Sequence, residues 1–177
     1  SLSQLADSVD FYIGMAVKSD SLYHHWVPKE FNSVTAENDF KSARLLKDPS
    51  NWTYDFRKAD ELLSFSESRG MRMRGHTLIW GKFPGMTHPA GWIKMVNDSD
   101  DPETTLRNII VKNVTEIMTH FKGKVHTWDV VNEAMGGEDL FNDLFSRTLG
   151  EEYIDLAFQT AREVDPSCEL ILNEAIG

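Results

Sequence analysis

Apolar positions along this chain follow two alternating periods. Residues 11–17, FYIGMAV, form a continuous apolar run rich in β-formers, and 31–38, FNSVTAEN, is a weaker run of the same kind. Residues 59–70, ADELLSFSESRG, change to helical spacing and end in Gly70, a residue suited to closing a helix. The run 71–80, MRMRGHTLIW, then reads as a strand. The strongest helical pattern lies at 101–123, where Leu106, Ile109, Ile110, Val114, Ile117 and Phe121 share one face. Asp101 is placed to cap that helix, Pro102 sits in its first turn and Gly123 ends it. Strand 124–131, KVHTWDVV, helix 151–165 stopped by Pro166, and strand 168–174, CELILNE, complete the series.

Strand and helix alternate throughout, which predicts a parallel sheet with helical crossovers. Two architectures fit. A doubly wound sheet would carry a glycine-rich phosphate turn after its first strand. Here that turn reads KSDSLYHH. A β/α barrel places its chemistry at the C-terminal ends of the strands. Polar residues do close these strands: Glu37 and Asn38, His76, Asn132 and Glu133, Asn173 and Glu174. The expected class is therefore α/β, a (β/α)8 TIM barrel, of which the sequence supplies about five β/α units.

Size and charge narrow the partners. At 177 residues the chain is long enough for a sizeable core, and 41% hydrophobic with 26% charged residues is ordinary for a globular protein. Net charge is −10 with no clustered Lys/Arg run, which argues against nucleic acid and anionic membrane as partners and favours a neutral ligand. Cys168 is the single cysteine, so no internal disulfide forms, and it reads as a buried inert thiol. The N-terminal stretch SLSQLADSVDF lacks the basic and apolar pattern of a signal peptide and has no initiator Met, as expected of a mature or trimmed form. Sequons at Asn51, Asn97 and Asn113 are read as chance occurrences. The His24–His25 pair is assigned to a surface or cleft edge, and NDSDDPE (97–103) to a solvated loop leading into an acidic helix start. Neither is expected to hold a metal.

The stretch HTWDVVNEAM, 126–135, carries the chemistry. A core strand ends on an amide and a carboxylate, Asn132 and Glu133. A carboxyl near an apolar wall stays protonated more readily and can donate to a leaving group; Trp80 and Trp128 are candidates for that wall. A neighbouring amide can bond a sugar hydroxyl beside the reacting carbon, where hydrogen bonds that strengthen in the transition state are most useful. The pair therefore suggests glycoside hydrolysis. Adjacent strand residues face opposite ways, so both can reach one cleft only if the strand end turns or bulges.

Several segments together resemble glycoside hydrolase family 10, the xylanases. HTWDVVNEA resembles that family's fourth strand, FNSVTAENDFK its second, RGHTLIW its third, and EEYIDLAFQTAREVDPSCELILNE its fourth helix and fifth strand. The resemblance implies that residues 1–177 are the N-terminal portion of one catalytic barrel domain. It implies Glu133 as general acid/base and Asn132 as partner of the 2-hydroxyl at the cleaved bond. Glu37, Asn38 and Lys41 would bind sugar hydroxyls on the non-reducing side, with His76 near the cut and Trp80 packed behind the cleft. It implies a polysaccharide or oligosaccharide substrate, retention of configuration, no cofactor, no metal, and a secreted or extracellular setting.

The sequence also departs from that pattern. Gly81, Lys82 and Phe83 stand where the family usually has His, Ser and Gln, the Gln reaching a distal sugar. Glu174, Ala175 and Ile176 replace an Asp–Tyr–Asn run, removing an aromatic stacking platform on the leaving-group side. Lys82 and Phe83 are therefore expected to affect distal sugar preference. A complete barrel takes about 250 residues, and the family's nucleophile, a Glu on strand seven, has no counterpart here. The remaining strands are expected from the rest of the same protein or from a second chain. Two other readings stay open: a hydrolase of another β-linked glycan, and a carbohydrate-binding barrel without turnover.

Overall fold

The computed structural model describes residues 1–18 and 23–175. The turn KSDSLYHH falls partly outside them, and Ile176 wholly so. The elements are α1 (Leu2–Asp7), β1 (Gly14–Val17), α2 (Val27–Glu30), β2 (Ser33–Ala36), α3 (Ser42–Leu45), β3 (Leu46–Asp48), β4 (Thr53–Tyr54), α4 (Arg57–Ser68), β5 (Arg72–Ile79), α5 (Gly91–Asn97), α6 (Pro102–Phe121), β6 (Thr127–Asn132), α7 (Leu144–Leu149), α8 (Glu152–Val164) and β7 (Glu169–Asn173). Five strands form one sheet in the order β1-β2-β5-β6-β7. Every neighbouring pair in it is parallel. This is the arrangement of the first five β/α units of a (β/α)8 barrel. β3 and β4 form a separate antiparallel pair.

The helices predicted from periodicity are present. Asp101 caps α6 by accepting the Thr104 N–H at 3.1 Å, with Pro102 in the first turn. Gly70 and Gly123 follow their helices with φ of 69° and 78°, a left-handed closure open to glycine. The apolar face of α6 is buried against the sheet and α8, and Trp128 packs against both Phe40 and Phe121 with ring centroids 6.0 and 5.9 Å away. Across the sheet Gly75 lies under Trp128: a Cβ there would sit 2.3 Å from the indole ring. The glycine thus lets β5 and β6 pair with the tryptophan standing between their side chains.

β1 is shorter than the apolar run predicts. Phe11 and Tyr12 are exposed, and the Asn32 side chain supplies part of the bonding of the backbone before Gly14. Asn32 accepts the Ile13 N–H at 2.8 Å and donates to Phe11 O at 2.9 Å, which satisfies those groups without a ladder. β1 and β7 are the outer strands of the sheet, and Leu172 on β7 is 46% exposed. Trp92, left open by its sequence, is wholly buried in the core, while Trp52 lies beneath Lys112. Among the described residues no helix is long and apolar enough to cross a membrane.

Candidate active site

The C-terminal ends of β2, β5, β6 and β7 converge on one cleft. Glu37 follows directly on β2, and its backbone N–H donates to Val17 O at 2.8 Å, which carries the β1–β2 pairing one residue past the strand. Asn38 accepts from Lys41 Nζ at 2.9 Å, and the same ammonium lies 4.9 Å from the Trp80 ring centroid. Burial holds Lys41 below the ordinary lysine range, while the nearby Glu37 and Glu133 carboxylates pull it back upward.

β5 alternates Arg72, Arg74 and His76 on one face. Arg74 Nε donates to Asp129 Oδ1 at 3.0 Å, and its Nη2 also reaches that oxygen. His76 Nδ1 lies 2.8 Å from the other oxygen, Oδ2. Asp129 is only 2% exposed, so its charge is compensated by two neighbours instead of by water. A carboxylate only accepts, so His76 Nδ1 carries the proton in that contact. Trp80 stands against His76 with ring centroids 5.7 Å apart. A cleft of about 430 Å³ is lined by Ala16, Thr35, Glu37, Lys41, Arg74, His76, Trp80, Asp129 and Asn173. Two cations and two anions line it, a balance suited to a neutral polyhydroxylated ligand.

The end of β6 resolves the orientation problem posed by adjacent Asn132 and Glu133. Register shifts between Asp129 and Val131 against β7, and Asp129 and Asn132, three residues apart, are joined through Arg74 and Asn173. Arg74, bonded to Asp129, also reaches Asn173 Oδ1 at 3.5 Å, while Asn173 Nδ2 donates to Asn132 Oδ1 at 2.7 Å. Glu133 then takes a left-handed φ of 51°, with its N–H still donating to Asn173 O at 2.8 Å. That turn swings the carboxylate out of strand alternation. Its Oε2 comes within 3.4 Å of Lys82 Nζ. Glu174, the other acidic strand-end residue, accepts the backbone N–H groups of Ala134 and Met135 at 2.6 and 3.2 Å, so one of its oxygens closes the β6 loop.

The candidates Glu37, Lys41, His76 and Trp80 therefore line the cleft directly. Asn38 enters through Lys41 and Asn132 through Asn173, while Glu133 stands at the edge, close enough to act on Lys41 electrostatically. Sequence reasoning placed Asn173 at a strand end without a role and missed Arg74 and Asp129 as lining residues. The alternation in RMRGH and an Asp inside an otherwise apolar strand were the signals that pointed to them. Lys82 lies against Glu133, and Phe83 turns outward. Neither placement has a local signature. His24 and His25 are exposed, and among the described residues no group of three or more His, Cys, Asp or Glu side chains is arranged to hold a metal ion.

The family model described as Glycosyl hydrolase family 10 matches residues 1–175. The chain belongs to glycosyl hydrolase family 10. A Beta-1,4-xylanase of Dictyoglomus thermophilum is 37% identical over 171 residues, covering 93% of this chain and 45% of its own length. Endo-1,4-beta-xylanase A of Thermotoga maritima is 35% identical over 173 residues, with 93% of this chain and 16% of that protein covered. The crystal structure of xylanase 10B from Thermotoga petrophila RKU-1 in complex with xylobiose superposes with a TM-score of 0.85 at 32% identity, covering 98% of this chain and 53% of that one. The chain spans about half the length of such family 10 relatives or less.

Proposed function

We propose that residues 1–177 form the N-terminal portion of a single family 10 catalytic barrel that cleaves internal β-1,4 linkages of xylan or a related β-glycan with retention of configuration. The observation that carries this reading is the left-handed turn at Glu133, which brings a carboxylate to the edge of a cleft lined by Glu37, Lys41, His76 and Trp80. Glu133 is the general acid/base. Asn132, oriented through Asn173, offers its Nδ2 to the 2-hydroxyl of the sugar at the cut. Glu37, Asn38 and Lys41 bind hydroxyls on the non-reducing side, with His76 against the sugar nearest the bond and Trp80 as its apolar wall.

Retention needs a second carboxyl about 5–5.5 Å from the acid, acting as nucleophile. That group and the remaining strands come from the rest of the same protein or from a second chain, which pairs with the outer strands β1 and β7 and covers Leu172. A secreted or extracellular setting, where polymeric glycan is met, accompanies this role.

The deciding experiment is Glu133→Gln in the completed barrel. Hydrolysis of natural glycans should slow by about 10²–10⁴-fold, the usual contribution of a positioned general acid. Cleavage of a dinitrophenyl glycoside, whose leaving group needs no proton, should be largely spared in its first step. Equal losses on both substrates, or the acid signature appearing in Glu174→Gln instead, would overturn the assignment.

A further inference from the structure

Beside Glu133 the chain makes a contact that is built from both flanking loops. Gly81 passes so close to Asp143 that a Cβ there would lie 1.9 Å from Oδ2. Asp143 cannot yield easily, because its Oδ1 accepts the N–H groups of Phe145 and Ser146 at 2.9 and 3.0 Å to cap α7. The absence of a side chain at 81 thus lets the β5 loop lie against the start of α7. Lys82 then points inward, its side chain only 18% exposed, while Phe83 at φ 56° turns out and is 59% exposed.

The inward lysine has three partners. Its Nζ lies 3.4 Å from Glu133 Oε2, 3.5 Å from Met135 O and 4.6 Å from the Phe141 ring centroid. Ordering a lysine costs up to about 2 kcal/mol of side-chain freedom, so a single surface ion pair would not hold it there. The carbonyl and ring contacts supply the remainder. Among the described residues, no hydrogen bond is made to the Glu133 carboxylate, so Lys82 is its ionic partner in this part of the barrel.

We propose that Lys82 is a positioning residue for Glu133: it holds one carboxylate oxygen so that the other faces the glycosidic bond. The proposal rests on Glu133 being the general acid. Freed from Lys82, the glutamate side chain spreads over staggered rotamers of which few are reactive. Lys82 itself touches no reacting atom in this scheme.

The test is Lys82→Met, which keeps the length of the stem, with Lys82→Gln as a second uncharged variant and Lys82→Arg as the conservative one, all in the complete barrel. Lys82→Met and Lys82→Gln should lower kcat on xylo-oligosaccharides by roughly ten-fold, the scale of a modest loss of orientation, with KM within about two-fold of the parent. Cleavage of a dinitrophenyl glycoside should keep its kcat/KM within about two-fold, because that step needs no acid. Lys82→Arg should recover most of the oligosaccharide rate. Equal losses on both substrates, a change confined to KM, or no change would overturn the proposal. Glu133→Ala measured alongside separates the two failures. If it shows the acid signature and the Lys82 variants do not, only the positioning role falls. If it does not, the assignment of the acid falls as well.

Discussion

Gly75→Ala should be among the most damaging single-methyl changes in this chain, because β5 and β6 can pair only while that position lacks a side chain. The added Cβ would sit 2.3 Å from Cδ2 and Cε3 of Trp128 and 2.6 Å from Cε2. Ordinary carbon contacts are about 3.5–4.0 Å, so more than an ångström of relief is required. Trp128 is 1% exposed and braced by Phe40 and Phe121, which leaves the ring nowhere to move. Overpacking of this kind costs about 1–3 kcal/mol, and the braced ring places this case near the upper figure. At about 2–4 °C per kcal/mol for a domain of this size, the melting temperature should fall by roughly 6–12 °C. The neighbours of Trp128 along β6 include Asp129 and, five residues on, Glu133, so activity should fall together with stability. The decisive assay is a double-mutant cycle by thermal melting with Trp128→Phe, whose smaller ring frees space beside the new methyl. Trp128→Phe alone should be destabilising, but the pair should be less so than the sum by about 1 kcal/mol or more. A Gly75→Ala melt within about 1 °C of the parent, or strict additivity in the cycle, would refute the packing argument.

Asp129→Ala should cost about 1–3 kcal/mol, because Arg74, 35% exposed, loses its carboxylate partner but keeps access to water, and should also release the His76 ring, whereas Asp129→Asn should keep more of the stability; comparable melts for the two variants would contradict this. Burial pushes the Cys168 thiol up to about 11, so native protein at pH 8–9 should alkylate slowly and denatured protein fast, with rapid native labelling counting against it. The same shift carries a linkage term: the unfolded thiol ionises first, near 9.0, so stability contributed by the neutral buried thiol should decline as pH rises from there toward about 11, and a Cys168→Ala variant should lack that decline.

Sequence and tertiary structure divide this protein along a physical line. Local pattern determined the five parallel strands, the three long helices and their caps, because burial of one face imposes a period and glycine, proline and aspartate mark the ends where backbone groups need closure. It also pointed to the family, since FNSVTAENDFK, RGHTLIW and HTWDVVNEA follow one another in the family's order. Periodicity overran at β1, where the Asn32 side chain takes the Ile13 N–H and the Phe11 carbonyl in place of a strand ladder. The short helices and the β3–β4 pair carry too few residues to show a period at all. What only the tertiary structure decided is the working face of the site. The register shift in β6 and the left-handed turn at Glu133 set where Asn132 and Glu133 point, and both arise from pairing with β7, more than forty positions away by the Asn132–Asn173 bond. Lys82 meets Glu133 because Gly81 leaves room for the Asp143 carboxylate, a steric fact shared between two loops far apart in the chain. Spacing along a chain encodes faces and ends; which loop tip meets which depends on how the packed elements bring them together.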